Sequence, residues 1–462
     1  MKTDRSVVGI LRMSLVVVLS LLAIVAPLGI GRPTYADQPF ILVYYDGHMH
    51  TTRSDGSGSV ADIKATAIDR GLSAVIVTDH CKGLTVAEWE SLVAETAAAS
   101  DSTFLALPGF EVTGSDGIFN RAHVNALGVA DPFVGDDALE LCPEEVWENP
   151  PNPEGTGPLY PENITKWVDY IHSQGGIAVH NHPSGSTKLE YGVSHMEVYN
   201  QSHVDDVAGY AAALGYPAEQ AWQLGITLNN FAIYGERDVN MPVVLPGFPT
   251  PVPLRSALWY ATANYIPPYI GQWLGSPEAP LSSWDQLLMA YVDGTVDTPI
   301  FALANSDAHN TGDLSCGDAD GCSTVGMAKN GLYVKARTAK EFYKALKAGR
   351  SFATTGPSLA FNVNGELMGD TADVDSGSAE IYLTVDSENP AAILVKIDII
   401  KNGEIWQTIS PMSPTYDATL LDEGVSEDGY YRVEVTSLDN STGRYYFAWS
   451  NPVFVKVSGP AR

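Results

Sequence analysis

Ile41-Leu42-Val43-Tyr44-Tyr45-Asp46-Gly47-His48-Met49-His50 is an apolar strand that stops on two histidines with a single residue between them. β-Branched and aromatic residues in succession favour a strand. Alternate strand residues point the same way, so His48 and His50 leave this one side by side, and two imidazoles can grip one cation. Ser54-Asp55-Gly56 follows at once and brings a carboxylate within reach of the pair.

The same pattern recurs down the chain. Ala74 to Val77 runs into Asp79 and His80, and Phe104 to Leu107 runs into Glu111. A further stretch begins at His123, Ile177 to Val179 leads into His180 and His182, Met196 to Tyr199 contains Glu197, and Ile300 to Ala304 leads into Asp307 and His309. Polar residues emerging just beyond apolar strands converge on one mouth when those strands form a parallel barrel. Helical stretches from Val60 to Arg70, stopped by Gly71, and from Val86 to Ala99 alternate with the first strands and predict parallel β-α units.

Residues 143–161 are crowded with Pro, Gly, Glu and Asn and read as a surface loop. A helix is expected from Asn163 to Ser173, ahead of Gly175-Gly176, and another from Thr338 to Gly349. Between 201 and 283 the short units give way to an insertion rich in Pro and aromatics, with Trp259, Tyr260, Tyr265, Tyr269 and Trp273. It reads either as a lid or substrate wall or as a packed subdomain. After Gly356-Pro357, alternating strands separated by turn signals predict a C-terminal antiparallel β-sandwich over 358–462.

The chain of 462 residues carries 26 Lys and Arg against 55 Asp and Glu, a formal charge of -29. So acidic a surface repels phosphate backbones, which disfavours long nucleic acids and leaves a small-molecule substrate as the expected partner. Lys2, Arg5 and Arg12 precede an apolar stretch from Leu15 to Ile30, and Thr34-Tyr35-Ala36 supplies a small-residue cleavage pattern. Residues 1–36 are therefore expected to be a secretory signal, with a secreted chain starting near Asp37 and no membrane span after cleavage. An uncleaved anchor would place the protein at the cell surface instead. Cys316 and Cys322 bracket a short flexible loop that could close as a disulfide. Cys81 reads as a metal ligand, a buried thiol or the partner of Cys142.

Taken in order, Asp46-Gly47-His48-Met49-His50, Ser54-Asp55-Gly56, Thr78-Asp79-His80, Gly109-Phe110-Glu111, His123, Asn181-His182-Pro183 and Ser306-Asp307-Ala308-His309 resemble the polymerase and histidinol phosphatase (PHP) superfamily. Ala348 to Pro357 and Ala448-Trp449-Ser450-Asn451-Pro452 further resemble its carbaryl-hydrolase branch, the CehA/McbA-like metallohydrolases. The resemblance implies a distorted (β/α)7 barrel over 37–357 holding two or three divalent ions. His48, His50, Glu111 and Asp307 would hold the first ion, and Glu111 would bridge to a second held by His123 and His182. Asp55, His80 and His309 would hold a third, although many relatives place histidine where this chain has Asp55. Asp79 is expected to orient His80 or a neighbouring ligand, and Glu197 to shape the pocket. His180 either faces the core or touches substrate. His172, His195 and His203 lie outside the motifs and read as ordinary histidines.

Imidazoles mixed with carboxylates select Zn, Mn or Fe over Mg or Ca. Two such ions about 3.5–4 Å apart share a hydroxide and clamp the oxygens of the group under attack. Neither a Gly-x-Ser-x-Gly elbow nor a phosphate-cradling loop with lysine is present in the sequence. Water is thus the expected nucleophile, Glu111 the central catalytic carboxylate, and His309 or His80 the proton donor to the leaving group. A phosphoesterase acting on small phosphorylated substrates is the favoured reading, with a nucleotide or exonuclease-like variant. Arg53, Arg121 and Lys188 would supply the cationic partners that a phosphate wants. The alternatives are a carbamate or aryl ester hydrolase, suggested by the branch resemblance and the aromatic insertion, and a non-catalytic metal-binding surface protein.

Overall fold

The computed structural model describes residues 40–81, 84–113, 123–129, 161–182, 191–202, 242–243, 252–253, 283–310, 324–374 and 377–458. Strand β1 (Ile41–Asp46) buries Val43 and Tyr45 completely, and β2 (Ala74–Val77) is buried at every position. The helices between the early strands start at sequence-encoded caps. In α1 (Val60–Asp69) the Ser59 hydroxyl accepts from the Asp62 backbone and Asp62 returns the contact, and in α2 (Val86–Ala99) Thr85 and Glu88 do the same. Each reciprocal pair satisfies two amides that a bare helix end leaves open. There follow β3 (Leu105–Thr113), β4 (His123–Leu127), α3 (Pro161–Ser173), β5 (Ile177–Asn181), β6 (His195–Asn200), the two-residue strands β7 (Pro242–Val243) and β8 (Val252–Pro253), α4 (Ser283–Val292), β9 (Phe301–Asn305), β10 (Lys329–Val334), α5 (Ala339–Lys347) and β11 (Ser351–Thr354).

These elements make a mixed α/β core around one large sheet, with the order β11-β10-β1-β2-β3-β4-β5-β6-β9. β1, β2 and β3 run parallel, as do β5, β6 and β9. The uniformly parallel pattern expected from the sequence fails at β4, which lies antiparallel to both β3 and β5. Thr113 and His123 are too close in sequence for a parallel crossover, which takes about a dozen residues or more, so β4 pairs antiparallel beside β3.

Two asparagine side chains dress the edge of β9. Asn330 accepts from Ala304 N at 2.9 Å and donates to Ala304 O at 2.7 Å. Asn451 accepts from Ala302 N at 2.7 Å and donates to Ala302 O at 3.2 Å. A primary amide presents the same donor and acceptor as a peptide group, so each stands where a neighbouring strand would otherwise pair. Asn451 belongs to the Ala448 to Pro452 motif, and this contact is the physical use of that motif here.

Beyond residue 357 the described chain is mostly antiparallel sheet, with Thr371–Val374 and Val453–Val457 pairing in parallel. Glu366–Leu367, Ser358–Val363, Ala379–Asp386 and Thr415–Asp422 pair in that order as a four-stranded sheet. A second ladder containing Ala392–Lys401, Gly429–Asp439 and Tyr445–Ser450 continues the central sheet, because Tyr445–Ser450 pairs with β11 through Phe352↔Ser450 and Ala353↔Trp449. Tyr430, Trp449 and Phe454 share one apolar cluster with Val75, Ala106 and Ala304. Arg432 and Asp285 form a fully buried bidentate pair at 2.7 Å that ties α4 to this region.

No helix among the described residues is long and apolar enough to cross a membrane. Residues 1–36, nearly all of 201–283, His203 and the Cys142, Cys316 and Cys322 positions lie outside the described residues. Cys81 is fully buried and disulfide-bonded, which removes it from the set of thiolate metal ligands.

Candidate metal centre

The strand ends are stitched together before any ion is considered. Asp46, at the end of β1, accepts backbone N–H groups from Ser306 at 3.1 Å, Gly326 at 2.9 Å and His48 at 3.3 Å. Asp307 N donates to His48 O at 3.0 Å, and His50 N donates to Ala308 O at 2.9 Å. The segment after β9 therefore lies against the segment after β1. Asp307 and His182 hold positive φ, +54° and +25°. Non-glycine residues adopt that region at a steric cost, and such strain collects where side chains must be aimed.

Glu111 on β3 is the hub. Its Oε1 lies 2.9 Å from His123 Nδ1, 3.4 Å from His182 Nε2 and 3.5 Å from His48 Nε2. Its Oε2 lies 3.0 Å from His80 Nδ1 and 3.4 Å from His50 Nε2. Asp307 Oδ1 is 3.2 Å from both His48 Nε2 and His50 Nε2, and its Oδ2 is 4.0 Å from His182 Nε2. On the outer side, Asp55 reaches His309 and His80 at 3.4 Å each and His50 Nδ1 at 3.6 Å. His48, His50, Asp55, His80, Glu111, His123, His182, Asp307 and His309, the candidates named from the sequence, each fall in at least one compact ligand group. Within a group the donor atoms lie within 4.8 Å of one another.

His123 Nδ1 at 2.9 Å and Asn181 Nδ2 at 2.8 Å make hydrogen bonds to Glu111 Oε1, while most of the other spacings suit cations better than hydrogen bonds. Donor atoms bound about 2.0–2.2 Å from one ion sit roughly 3–3.6 Å from each other. His48 Nε2 and His50 Nε2 face each other at 3.3 Å, and His80 Nδ1 is buried 3.0 Å from Glu111 without the alignment of a hydrogen bond. The charge pattern agrees. Burial opposes ionisation of Glu111, but His48 and His123 outweigh it and hold the carboxyl well below its usual range. Asp307 is likewise held low against burial by His48 and His50, and His309 and His80 hold Asp55 low. Burial also opposes protonation of His80, yet Asp55 and Glu111 lift its imidazole to about 10. Three ionised carboxylates at the mouth thus demand positive charge, which protons or divalent ions can supply. Imidazole with carboxylate suits Zn, Mn or Fe, so the residues present fit such ions.

Several expectations change. Asp79 does not orient His80. It accepts from Thr51 N at 2.6 Å, Thr51 Oγ1 at 2.7 Å and Ser54 Oγ at 2.8 Å, and so shapes the turn that delivers Asp55. Arg53, named as a phosphate partner, is turned onto α2, where its guanidinium pairs with Glu95 and donates to Ser91. Arg121 and Lys188 lie outside the described residues. His180 is buried edge-on against Tyr191, and burial pushes its imidazole down to about 3. Glu197 does far more than shape a pocket. It receives His48 Nδ1 at 2.9 Å, Asn305 Nδ2 at 2.9 Å, His182 N at 2.7 Å and Asn200 Nδ2 at 2.8 Å. Its sequence signal was a lone acid inside an otherwise buried strand, a residue type rarely left buried without partners.

No family model matches the chain. Over 139 residues it is 30% identical to an uncharacterized protein from Chlamydia pneumoniae, a match covering 26% of this chain and 21% of that one. The chain thus matches about a fifth of that relative's length. Among solved structures it resembles a two-domain protein containing a predicted PHP-like metal-dependent phosphoesterase from Bacteroides vulgatus, at TM-score 0.36 and 13% identity, covering 86% of this chain and 92% of that one. It also resembles a lesion-specific endonuclease from Pyrococcus furiosus, at TM-score 0.31 and 15% identity, covering 66% and 56%. An amidohydrolase from Chromobacterium violaceum aligns at TM-score 0.25 and 19% identity, covering 36% and 81%. These likenesses are low in both identity and TM-score, and the metal centre itself supports the reading below.

Proposed function

We propose that this chain is a PHP-type metal-dependent hydrolase, secreted, and a phosphoesterase on small phosphorylated substrates. One observation carries the proposal: a single buried carboxylate, Glu111, meets imidazoles on both of its oxygens, His123 and His182 on one and His80 and His50 on the other. A carboxylate so divided is suited to bridge two cations. His48, His50 and Asp307 would complete one site, His123 and His182 the second, and Asp55, His80 and His309 a third. The core is read as a distorted barrel of PHP type over 37–357, braced by a sandwich over 358–462.

Bound divalent ions supply Lewis acidity and an activated water at neutral pH. The residues do the rest. Glu111 and Asp307 hold the anionic side of the site in place. His309 and His80 are the two most open imidazoles of the site, with side chains 35% and 25% exposed, and either would donate a proton to a departing oxygen at the mouth only while it holds no third ion.

The test is turnover of para-nitrophenyl phosphate, its diester and 1-naphthyl acetate by manganese-loaded protein. Hydrolysis of a phosphate substrate that is lost on chelation and restored by metal is expected. Cleavage of the naphthyl ester alone would overturn the phosphoesterase assignment.

A further inference from the structure

We propose that Glu197 is a positioning residue that couples the two inner metal sites, because one carboxylate fixes a ligand of each. This rests on the two-site reading above. On Oε1 it takes the ring of His48 through Nδ1 at 2.9 Å, leaving Nε2 aimed between Glu111 and Asp307 at 3.5 and 3.2 Å. An ionised carboxylate only accepts, so with an ion bound the His48 proton would sit on Nδ1 and the lone pair on Nε2 would face that ion. On Oε2 the same side chain takes the backbone N–H of His182 at 2.7 Å. His182 is held there at φ +25° with its Nε2 3.4 Å from Glu111. A ligand of the first ion and a ligand of the second thus hang from the two oxygens of one residue that is 1% exposed.

Glu197 is itself braced. Asn305 Nδ2 donates to Oε1 at 2.9 Å, and Asn305 Oδ1 accepts from Gly47 N at 3.0 Å and Asn330 Nδ2 at 3.0 Å. Asn200 Nδ2 donates to Oε2 at 2.8 Å. Asn305 therefore fixes the carboxylate and the turn before His48 together. The four groups named on Glu197 are donors, two to each oxygen, so an amide there sets its own N–H groups against one of those pairs. A residue bracing a single ligand would disturb a single ion. This one touches both sets.

The experiment titrates metal-free full-length chain and Glu197→Gln with Zn against a competing chelator, with circular dichroism to check folding. In the unaltered chain two inner ions are expected. In Glu197→Gln both are expected to weaken, each by about 10–100-fold, the range typical for loss of an outer partner of a ligand. Unchanged affinity for both ions in the variant, or weakening of one alone, overturns the coupling role. Fewer than two ions in the unaltered chain overturns the two-site reading itself, a different result. Should Glu197→Gln fail to fold, cadmium-113 loading of the unaltered, nitrogen-15-histidine-labelled chain decides. Coupling from cadmium to His48 Nε2, with the proton on Nδ1, is expected, and coupling to Nδ1 refutes the proposal.

Discussion

Replacing Glu111 with Ala removes a carboxylate whose two oxygens face different imidazoles, so both inner ions should suffer together. Oε1 stands 2.9 Å from His123 and 3.4 Å from His182, while Oε2 stands 3.0 Å from His80 and 3.4 Å from His50. An interaction with a charged group contributes about 1.5–3 kcal/mol. At about 1.4 kcal/mol per factor of ten, each ion should lose roughly 10–100-fold in affinity, and the product of the two constants should fall roughly 10²–10⁴-fold. Glu111→Gln separates the oxygens, because the retained carbonyl still serves one ion while the new amide cannot serve the other. The assay is elemental analysis after dialysis, paired with isothermal titration of the metal-free chain. Glu111→Ala should retain fewer ions than Glu111→Gln, and hydrolysis should vanish with them. Two tightly held ions in Glu111→Ala would refute the bridge and return Glu111 to a purely structural role.

Two further outcomes concern the scaffold. His195 is fully buried between Ser194 Oγ at 3.1 Å and Leu346 O at 3.0 Å, and burial pushes its imidazole down to about 4 from 6.5. A depressed histidine contributes stability above 6.5 that is lost as pH falls toward 4, roughly 3 kcal/mol for this shift. Urea melts of the metal-free protein at pH 7 and pH 4 should show His195→Phe less acid-sensitive than the parent by about that amount, and an equal pH dependence would contradict the assignment. Asp285→Ala leaves the fully buried Arg432, 4.6 Å over Trp284, with Glu434 as its remaining carboxylate partner, and should destabilise by about 3 kcal/mol. The double change Asp285→Ala, Arg432→Met should recover part of that loss in the same melts, since it removes the buried guanidinium and leaves only Glu434, whose side chain is 19% exposed.

Much of the metal centre was legible because strand periodicity is local. A run such as Ile41 to Tyr45 followed by His48 and His50 tells where two imidazoles emerge, whatever the rest of the chain does. The caps at Ser59 and Thr85 were equally local, each using a partner three residues on. Arg53 was misread for the opposite reason. Its position beside the motif suggested a phosphate, yet Glu95 on the neighbouring helix offers a nearer charge. Of the two roles read for Asp79, its hydrogen bonds to Thr51 and Ser54 fit support of the neighbouring Asp55, while adjacency to His80 says nothing about which way a buried carboxylate turns.

By itself the sequence named the histidines and carboxylates that gather in one cluster, the net acidity and the alternation of strands with helices, all properties of neighbouring residues. Only the tertiary structure decided that β4 reverses direction, that Asn330 and Asn451 finish the edge of β9, and that Glu197 holds His48 across 149 positions of chain. Those partners meet through sheet order and register. A linear pattern shows which side chains leave a strand together, while the choice of neighbouring strand depends on the packing of the whole core.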